Sequence, residues 1–113
     1  MSFRTDRVGD QLAREVSLII DRELKDPAIG FVTVTGAKVT VDLRYADIYV
    51  SVLGDEEKRK KSMSGLARAS GFIRSLIGKR IRLRHVPEIR FKLDESLIRA
   101  EKLDRLLEEI ENE

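Results

Sequence analysis

Positive charge and apolar side chains alternate closely in residues 67–92 of this chain. The segment contains eight basic residues against a single acid, Glu88. Between the cations lie six large apolar residues: Phe72, Ile73, Leu76, Ile77, Ile81 and Leu83. Such a segment is stable only if its apolar side chains are buried together while its cations remain in water. The fold must therefore give this segment one face in a core and another in solvent.

The charge of the chain is unevenly distributed, although its formal net charge is only +2. Residues 68–92 carry eight basic residues and one acid, a net of +7, whereas residues 94–113 carry eight acids and three basic residues, a net of −5. This asymmetry is typical of a polyanion-binding face with an acidic tail. A row of arginines on a helix is also often just a solvated face, so both interpretations are open at this point.

Length and composition limit the class of protein. We expect residues 1–113 to form a single domain. The absence of cysteine excludes disulfides and thiolate metal sites, and a single histidine, His85, gives no basis for a zinc site. The charged N-terminus is unlike a signal peptide, and no apolar run approaches the ~18 residues of a membrane span. We expect a soluble cytoplasmic protein without cofactor or metal.

Hydrophobic periodicity predicts an α+β protein in the order helix, strand, strand, helix, kink, helix, strand, helix. The first helix covers about residues 5–25 and ends before Pro27. Two runs rich in β-branched residues, 31–41 and 45–53, predict a β-hairpin. Gly36 interrupts the first of these strands and predicts a bulge.

The second half of the chain begins with a long helical pattern, for which Asp55 is the expected N-cap. Ala69-Ser70-Gly71 predicts a kink or break, followed by a second helical segment over about residues 72–81. A third strand follows Pro87. It points Ile89, Phe91 and Leu93 inward.

An acidic helix over about residues 96–111 closes the predicted order. Its apolar residues form a narrow stripe of four: Leu103, Leu106, Leu107 and Ile110. A short stripe of this kind is most often packed on a core. The alternative is that it pairs with a partner helix or with a second copy of the chain.

A helical wheel at about 100° per residue separates the cations from the core residues after residue 71. The arc opposite the apolar residues combines small residues with cations: Gly71, Arg74, Ser75, Gly78, Lys79 and Arg82. A phosphodiester backbone can approach closely where side chains are small, and flanking cations can neutralise its phosphates. Arg80 and Arg84 fall in the apolar arc, so we expect the helix to end near Arg80 and both cations to turn outward. The segment is therefore predicted to bind RNA or DNA.

Motifs for catalysis are absent from the sequence. It contains no phosphate-binding loop, nucleophile elbow or metal-ligand cluster. We therefore expect a binding protein rather than an enzyme. A small nuclease that uses Asp47 or Glu88 is the alternative from another class.

Four segments together resemble the ribosome-binding factor A family: "KDPAIG", "DLRYADIYVSV", "ASGFIRSLIGK" and "LRHVPEIRFKLDES". The resemblance extends from about residue 3 to about residue 107 and implies a type II KH-like domain, with a three-stranded sheet and helices packed on one face. KH domains clamp nucleotides with a GXXG loop. Family members have an Ala-X-Gly kink instead, matched here by Ala69-Ser70-Gly71, which favours recognition of backbone and shape over sequence.

The resemblance also implies a function. The protein is expected to be a non-enzymatic assembly factor that binds the free 30S small ribosomal subunit through 16S rRNA, near the decoding region. It would assist late maturation and 16S rRNA processing without cutting RNA itself. We expect a monomer with neither a small-molecule substrate nor a membrane partner. A generic RNA-binding regulator is the remaining alternative.

The site residues expected from this resemblance lie mainly in the basic segment. Those expected to contact phosphates are Arg68, Arg74, Lys79, Arg80, Arg82 and Arg84. Ser70 and Gly71 would permit close approach at the kink. Arg4 and Arg7 would extend the site along the first helix.

Overall fold

The structure is a computed structural model that describes residues 3–112. Its elements in chain order are α1 (Phe3–Arg22), β1 (Val32–Val39), β2 (Tyr45–Val52), α2 (Glu56–Arg80), β3 (Glu88–Leu93) and α3 (Ser96–Glu111). The predicted α+β class and the three-stranded sheet are confirmed. No helix in the described part of the chain combines the length and apolar character needed to cross a membrane.

The three strands form a mixed sheet in the order β1-β2-β3. β1 and β2 form the predicted antiparallel hairpin, and its register shifts between Val34 and Gly36, which confirms the predicted bulge. β2 and β3 are parallel. Because parallel neighbours need a long crossover, α2 has to pass over the sheet between them.

The core lies between one face of the sheet and the helices α1 and α2. From β2, Ala46, Ile48 and Val50 are fully buried. The two helices complete the core with six more fully buried side chains: Leu12, Val16, Ile19, Leu66, Ile73 and Ile77. The prediction that helices pack on one face of the sheet is therefore confirmed for α1 and α2.

α2 is one uninterrupted helix of 25 residues, which corrects the predicted division at Ala69-Ser70-Gly71. Leu66 and Ile73, on either side of Gly71, are both fully buried in the same core. Burying two such side chains contributes about 1.5–3 kcal/mol each, whereas a helical glycine costs only about 1 kcal/mol. Tertiary packing therefore keeps the helix continuous through the glycine.

Both ends of α2 agree with the predictions made from the sequence. Asp55 is the N-cap and accepts a hydrogen bond from the Lys58 N–H at 2.9 Å. The helix ends at Arg80, as predicted, because Ile81 takes an extended conformation that buries its side chain in the core. Phe72 was predicted among the core residues, but its side chain is 50% exposed.

α3 stands apart from this core. Every described residue from Arg99 to Asn112 is exposed, including the four residues of the apolar stripe. The interpretation of α3 as a core-packing helix is therefore wrong. At the start of α3, Ile98 and Glu101 line a groove with residues from the end of the sheet, and these two residues lie on the side of the helix away from the stripe.

Candidate nucleic-acid interface

The solvent face of α2 carries a strip of small residues, which we call the small-residue strip. Its members are all exposed: Ser64, Ala67, Gly71, Ser75 and Gly78. Beyond its chain neighbours and the backbone of its own helix, a Cβ atom added at Gly71 would meet no atom within 4 Å, so internal packing does not require glycine there. The strip leaves the helix open to close approach by an extended ligand. Ser75 and Gly78 were in the predicted exposed arc but not among the predicted site residues.

Three cations follow this strip at the C-terminal end of α2, and we call them the basic turn: Lys79, Arg82 and Arg84. All three are exposed, and none has an ion-pair or hydrogen-bond partner for its side chain within residues 3–112. Together with Gly78, Arg80, Ile81 and Leu83, they line one shallow depression. The structure therefore brings the three cations together on one surface.

The local sequence explains why Arg82 and Arg84 face solvent. Ile81 and Pro87 are buried, and Leu83 is half-buried between the two arginines. The chain is extended at Ile81 and then turns tightly about Arg82, where the Leu83 N–H donates to the Ile81 carbonyl at 3.1 Å. Anchoring the apolar members therefore turns the arginines outward. Lys79, in the last turn of α2, also interacts favourably with the negative end of the helix dipole.

Arg80 is reached by solvent but is engaged in ion pairs within the protein, which corrects the prediction that it is available for phosphate. Its guanidinium pairs with two carboxylates of α1, Glu15 at 3.3 Å and Glu23 at 3.0 Å, and its side chain is only 32% exposed. The wheel correctly places Arg80 on the side of α2 that faces the core. A cation is accommodated there because α1 presents two acids at that point, so Arg80 links the two helices.

Arg74 is also engaged within the protein, although it was predicted on the exposed arc. It is half-buried, and its Nε and Nη2 donate to the carbonyl oxygen of Val86 at 3.2 and 2.9 Å. This contact connects α2 to the end of the segment that carries Arg82 and Arg84. Arg74 is therefore placed to position the basic turn.

Arg68 and Ser70 have internal contacts of a weaker kind. Arg68 lies 3.2 Å from the Asp26 carboxylate in a pair that is largely exposed. Hydrogen bonds from the Ala28 N–H and from Arg68 hold the pKa of Asp26 below its ordinary value, so this partner is charged at neutral pH. Ser70 is half-buried and donates to the Ala67 carbonyl at 2.8 Å. Neither residue belongs to the basic turn.

Arg4 and Arg7 are exposed on the first turns of α1. They precede Glu15, the partner of Arg80, by distances along the helix of about 16 and 12 Å. They therefore lie towards the N-terminal end of α1, away from the point where Glu15 meets Arg80 beside the basic turn. Their part in binding stays a prediction.

The structure offers little support for the nuclease alternative. Asp47 forms an ion pair with Arg90 at 2.7 Å. Across residues 3–112, no group of three or more His, Cys, Asp or Glu residues is arranged to hold a metal ion.

Comparisons of the sequence and of the structure with known proteins agree on one family. The model of the family described as ribosome-binding factor A matches residues 4–107. A solution NMR structure of a candidate ribosome-binding factor A from Thermotoga maritima is 36% identical; the match covers 85% of this chain and 92% of that one, with a TM-score of 0.68.

Two structures of the Thermus thermophilus protein are also similar. The crystal structure of ribosome-binding factor A from this organism shares the fold, with a TM-score of 0.73 at 23% identity over 81% of this chain and 97% of that one. A homology model of the Thermus factor, fitted into a cryo-EM map of its complex with the 30S subunit, has a TM-score of 0.64 at 25% identity and covers 77% and 91% of the two chains. Because the family match extends over residues 4–107, this chain belongs to the ribosome-binding factor A family.

Proposed function

We propose that this protein binds the free 30S ribosomal subunit through 16S rRNA and assists its late maturation and 16S rRNA processing without cutting RNA. The observation that carries the proposal is the basic turn, whose three cations have no partner in the described residues, beside the small-residue strip of α2. The Thermus relative fitted into a map of a 30S complex supports the same partner. We further propose that residues 1–113 act as one KH-like domain and as a monomer.

The geometry suits binding to the nucleic-acid backbone. A phosphate strand lying along the small-residue strip can approach α2 closely, and Lys79, Arg82 and Arg84 can then neutralise phosphates at the end of the helix. Cations that contact phosphates fix position but read no sequence. The protein would therefore recognise the shape of a folded rRNA surface, with Arg4, Arg7 and Arg68 adding outlying contacts.

Sedimentation with purified ribosomal particles tests the proposal on the wild-type protein. We expect it to comigrate with free 30S subunits and not with joined ribosomes. If three phosphate contacts dominate, raising the salt from about 50 to about 200 mM should weaken binding roughly 40-fold, since the logarithm of affinity falls by ~0.9 per contact for each logarithm of salt. Equal binding to joined ribosomes, or an affinity that is independent of salt, would contradict the proposal.

Replacing Gly71 by alanine is expected to change stability and binding in opposite directions. The added methyl group meets nothing in the protein, so the gain in helix propensity should raise the free energy of unfolding by up to about 1 kcal/mol. The same methyl group narrows the approach to α2 and should weaken binding to 30S subunits. Urea denaturation and quantitative co-sedimentation measure the two effects.

Ser64→Ala is the matched control, because Ser64 lies on the same strip of α2 two turns before Gly71. It also raises helix propensity, but it enlarges no side chain. We expect a small gain in stability and unchanged binding. If Gly71→Ala binds subunits as tightly as the wild type, close approach at this glycine has no part in recognition.

A further inference from the structure

The apolar stripe of α3 is an uncovered surface that the proposed RNA contact does not use. Its four side chains are exposed to similar degrees: Leu103 56%, Leu106 55%, Leu107 50% and Ile110 62%. They occupy one side of a helix about 24 Å long. A row of large apolar side chains at helical spacing is the pattern of a helix that packs against another surface.

The part of the protein that the structure describes, residues 3–112, does not provide that surface. Ile98 and Glu101 line the groove between α3 and the end of the sheet, together with Phe31, Leu53 and Leu93. At about 100° per residue, the stripe lies about 160° around α3 from these two residues. Closing α3 further onto the sheet would leave the stripe in water. Among residues 3–112 nothing covers the stripe, so it is open to another molecule.

The charges beside the stripe indicate what kind of molecule this is. On the wheel the stripe is flanked by Lys102 and by three acids, Asp104, Glu109 and Glu111. Arg99 lies in the arc of the stripe itself, but its charge is paired with Glu95 at 3.2 Å. A polyanion such as RNA would be repelled, because residues 94–113 carry a net charge of −5, with eight acids against three basic residues. In a dimer of two copies, the mostly acidic flanks of one stripe would face those of the other, and these like charges would repel each other.

We propose that α3 is a docking site for a basic amphipathic helix of a protein partner. An apolar stripe on that helix would cover Leu103, Leu106, Leu107 and Ile110, while its flanking Lys and Arg residues would face Asp104, Glu109 and Glu111. The inference rests on the proposed function in one respect, which is that the partner is taken to be a protein of the small ribosomal subunit.

The size of the stripe predicts a weak and reversible contact. Stable interfaces bury about 800 Å² on each partner, and one stripe of four half-exposed side chains offers less than this. Such a contact becomes effective when the same molecule is also held by RNA, because the second binding event is then intramolecular. The basic turn with the small-residue strip would therefore bind rRNA while α3 binds a protein of the same subunit. Either contact could be released separately.

Site-specific photo-crosslinking tests the inference. A photo-crosslinking amino acid is placed at Leu106 in the full chain, and as a control at Arg105, which is exposed on the opposite side of α3. Each protein is irradiated with purified 30S subunits and with the total small-subunit proteins extracted free of RNA. We expect position 106, and not position 105, to crosslink to a basic ribosomal protein in both samples.

A pair of matched variants measures the strength of the contact. Leu103→Ser with Leu106→Ser should shorten residence on 30S subunits about 10-fold, while binding to naked 16S rRNA stays at the wild-type level. Arg105→Ser with Glu108→Ser alters the opposite side of α3, removes one charge of each sign and should leave both unchanged. Circular dichroism checks that α3 stays helical in each protein.

The outcomes separate this inference from the proposed function. If the wild type binds subunits but position 106 crosslinks to rRNA, to a second copy or to nothing, the α3 inference fails and the proposed function stands. If the wild type does not bind subunits but position 106 still crosslinks to a basic protein in the RNA-free extract, the proposed function fails and α3 keeps its protein partner.

Discussion

Replacing Lys79, Arg82 and Arg84 together by glutamate should weaken binding to 30S subunits by about 100-fold or more. Each cation is expected to contribute about 1 kcal/mol through a phosphate contact, and 1.4 kcal/mol corresponds to a factor of ten in affinity. Charge reversal adds repulsion to this loss. The slope of log affinity against log salt should also become shallower by about 2.7, the value for three phosphate contacts on a duplex.

The free energy of unfolding should change little in this triple variant, because the three side chains are exposed and have no partner in residues 3–112. A control variant with Lys25, Lys38 and Lys58 replaced by glutamate has the same net charge and alters three exposed cations elsewhere. Co-sedimentation of both variants then separates the basic turn from the overall charge. Equal losses of binding would contradict a localised site.

The local elements of this fold could be predicted because their signals lie within a few residues of sequence. Asp55 caps α2 through the N–H three residues ahead, and Gly36 marks the bulge within its own strand. A kink or break was predicted at Gly71, and the break does not occur because the deciding contacts are distant in the sequence. A local preference of about 1 kcal/mol was outweighed by the burial of Leu66 and Ile73 against distant elements.

The site could be predicted only in part for the same physical reason. A helical wheel gives the direction in which a side chain leaves its own helix, but not what lies there. For Arg80 the partners are 65 and 57 residues earlier in the chain, at Glu15 and Glu23. Lys79 and Arg82 were placed correctly on the exposed arc because their side chains have no hydrogen-bond or ion-pair partner among the described residues. The stripe of α3 was visible in the sequence, but its lack of cover was not.

Replacing Arg74 by alanine should lower both the stability of the protein and its affinity for 30S subunits. The side chain donates two hydrogen bonds to the half-buried Val86 carbonyl, and hydrogen bonds from charged donors contribute about 1.5–3 kcal/mol. Because Val86 follows the basic turn, losing this contact should also loosen Arg82 and Arg84. We expect the midpoint of thermal unfolding to fall by about 4–8 °C per kcal/mol lost.

Arg74→Lys separates positioning from direct phosphate binding. Lysine keeps the charge, but it lacks the planar group that donates from two nitrogens to one carbonyl. If Arg74 positions the basic turn, Arg74→Lys should also lose stability, bind subunits more weakly and speed hydrogen exchange in residues 82–86. Arg82→Ala should also bind subunits more weakly, but its free energy of unfolding should stay at the wild-type value. If Arg74→Lys instead binds subunits and unfolds like the wild type, Arg74 acts through its charge alone. The contact with Val86 then has no part in positioning the basic turn.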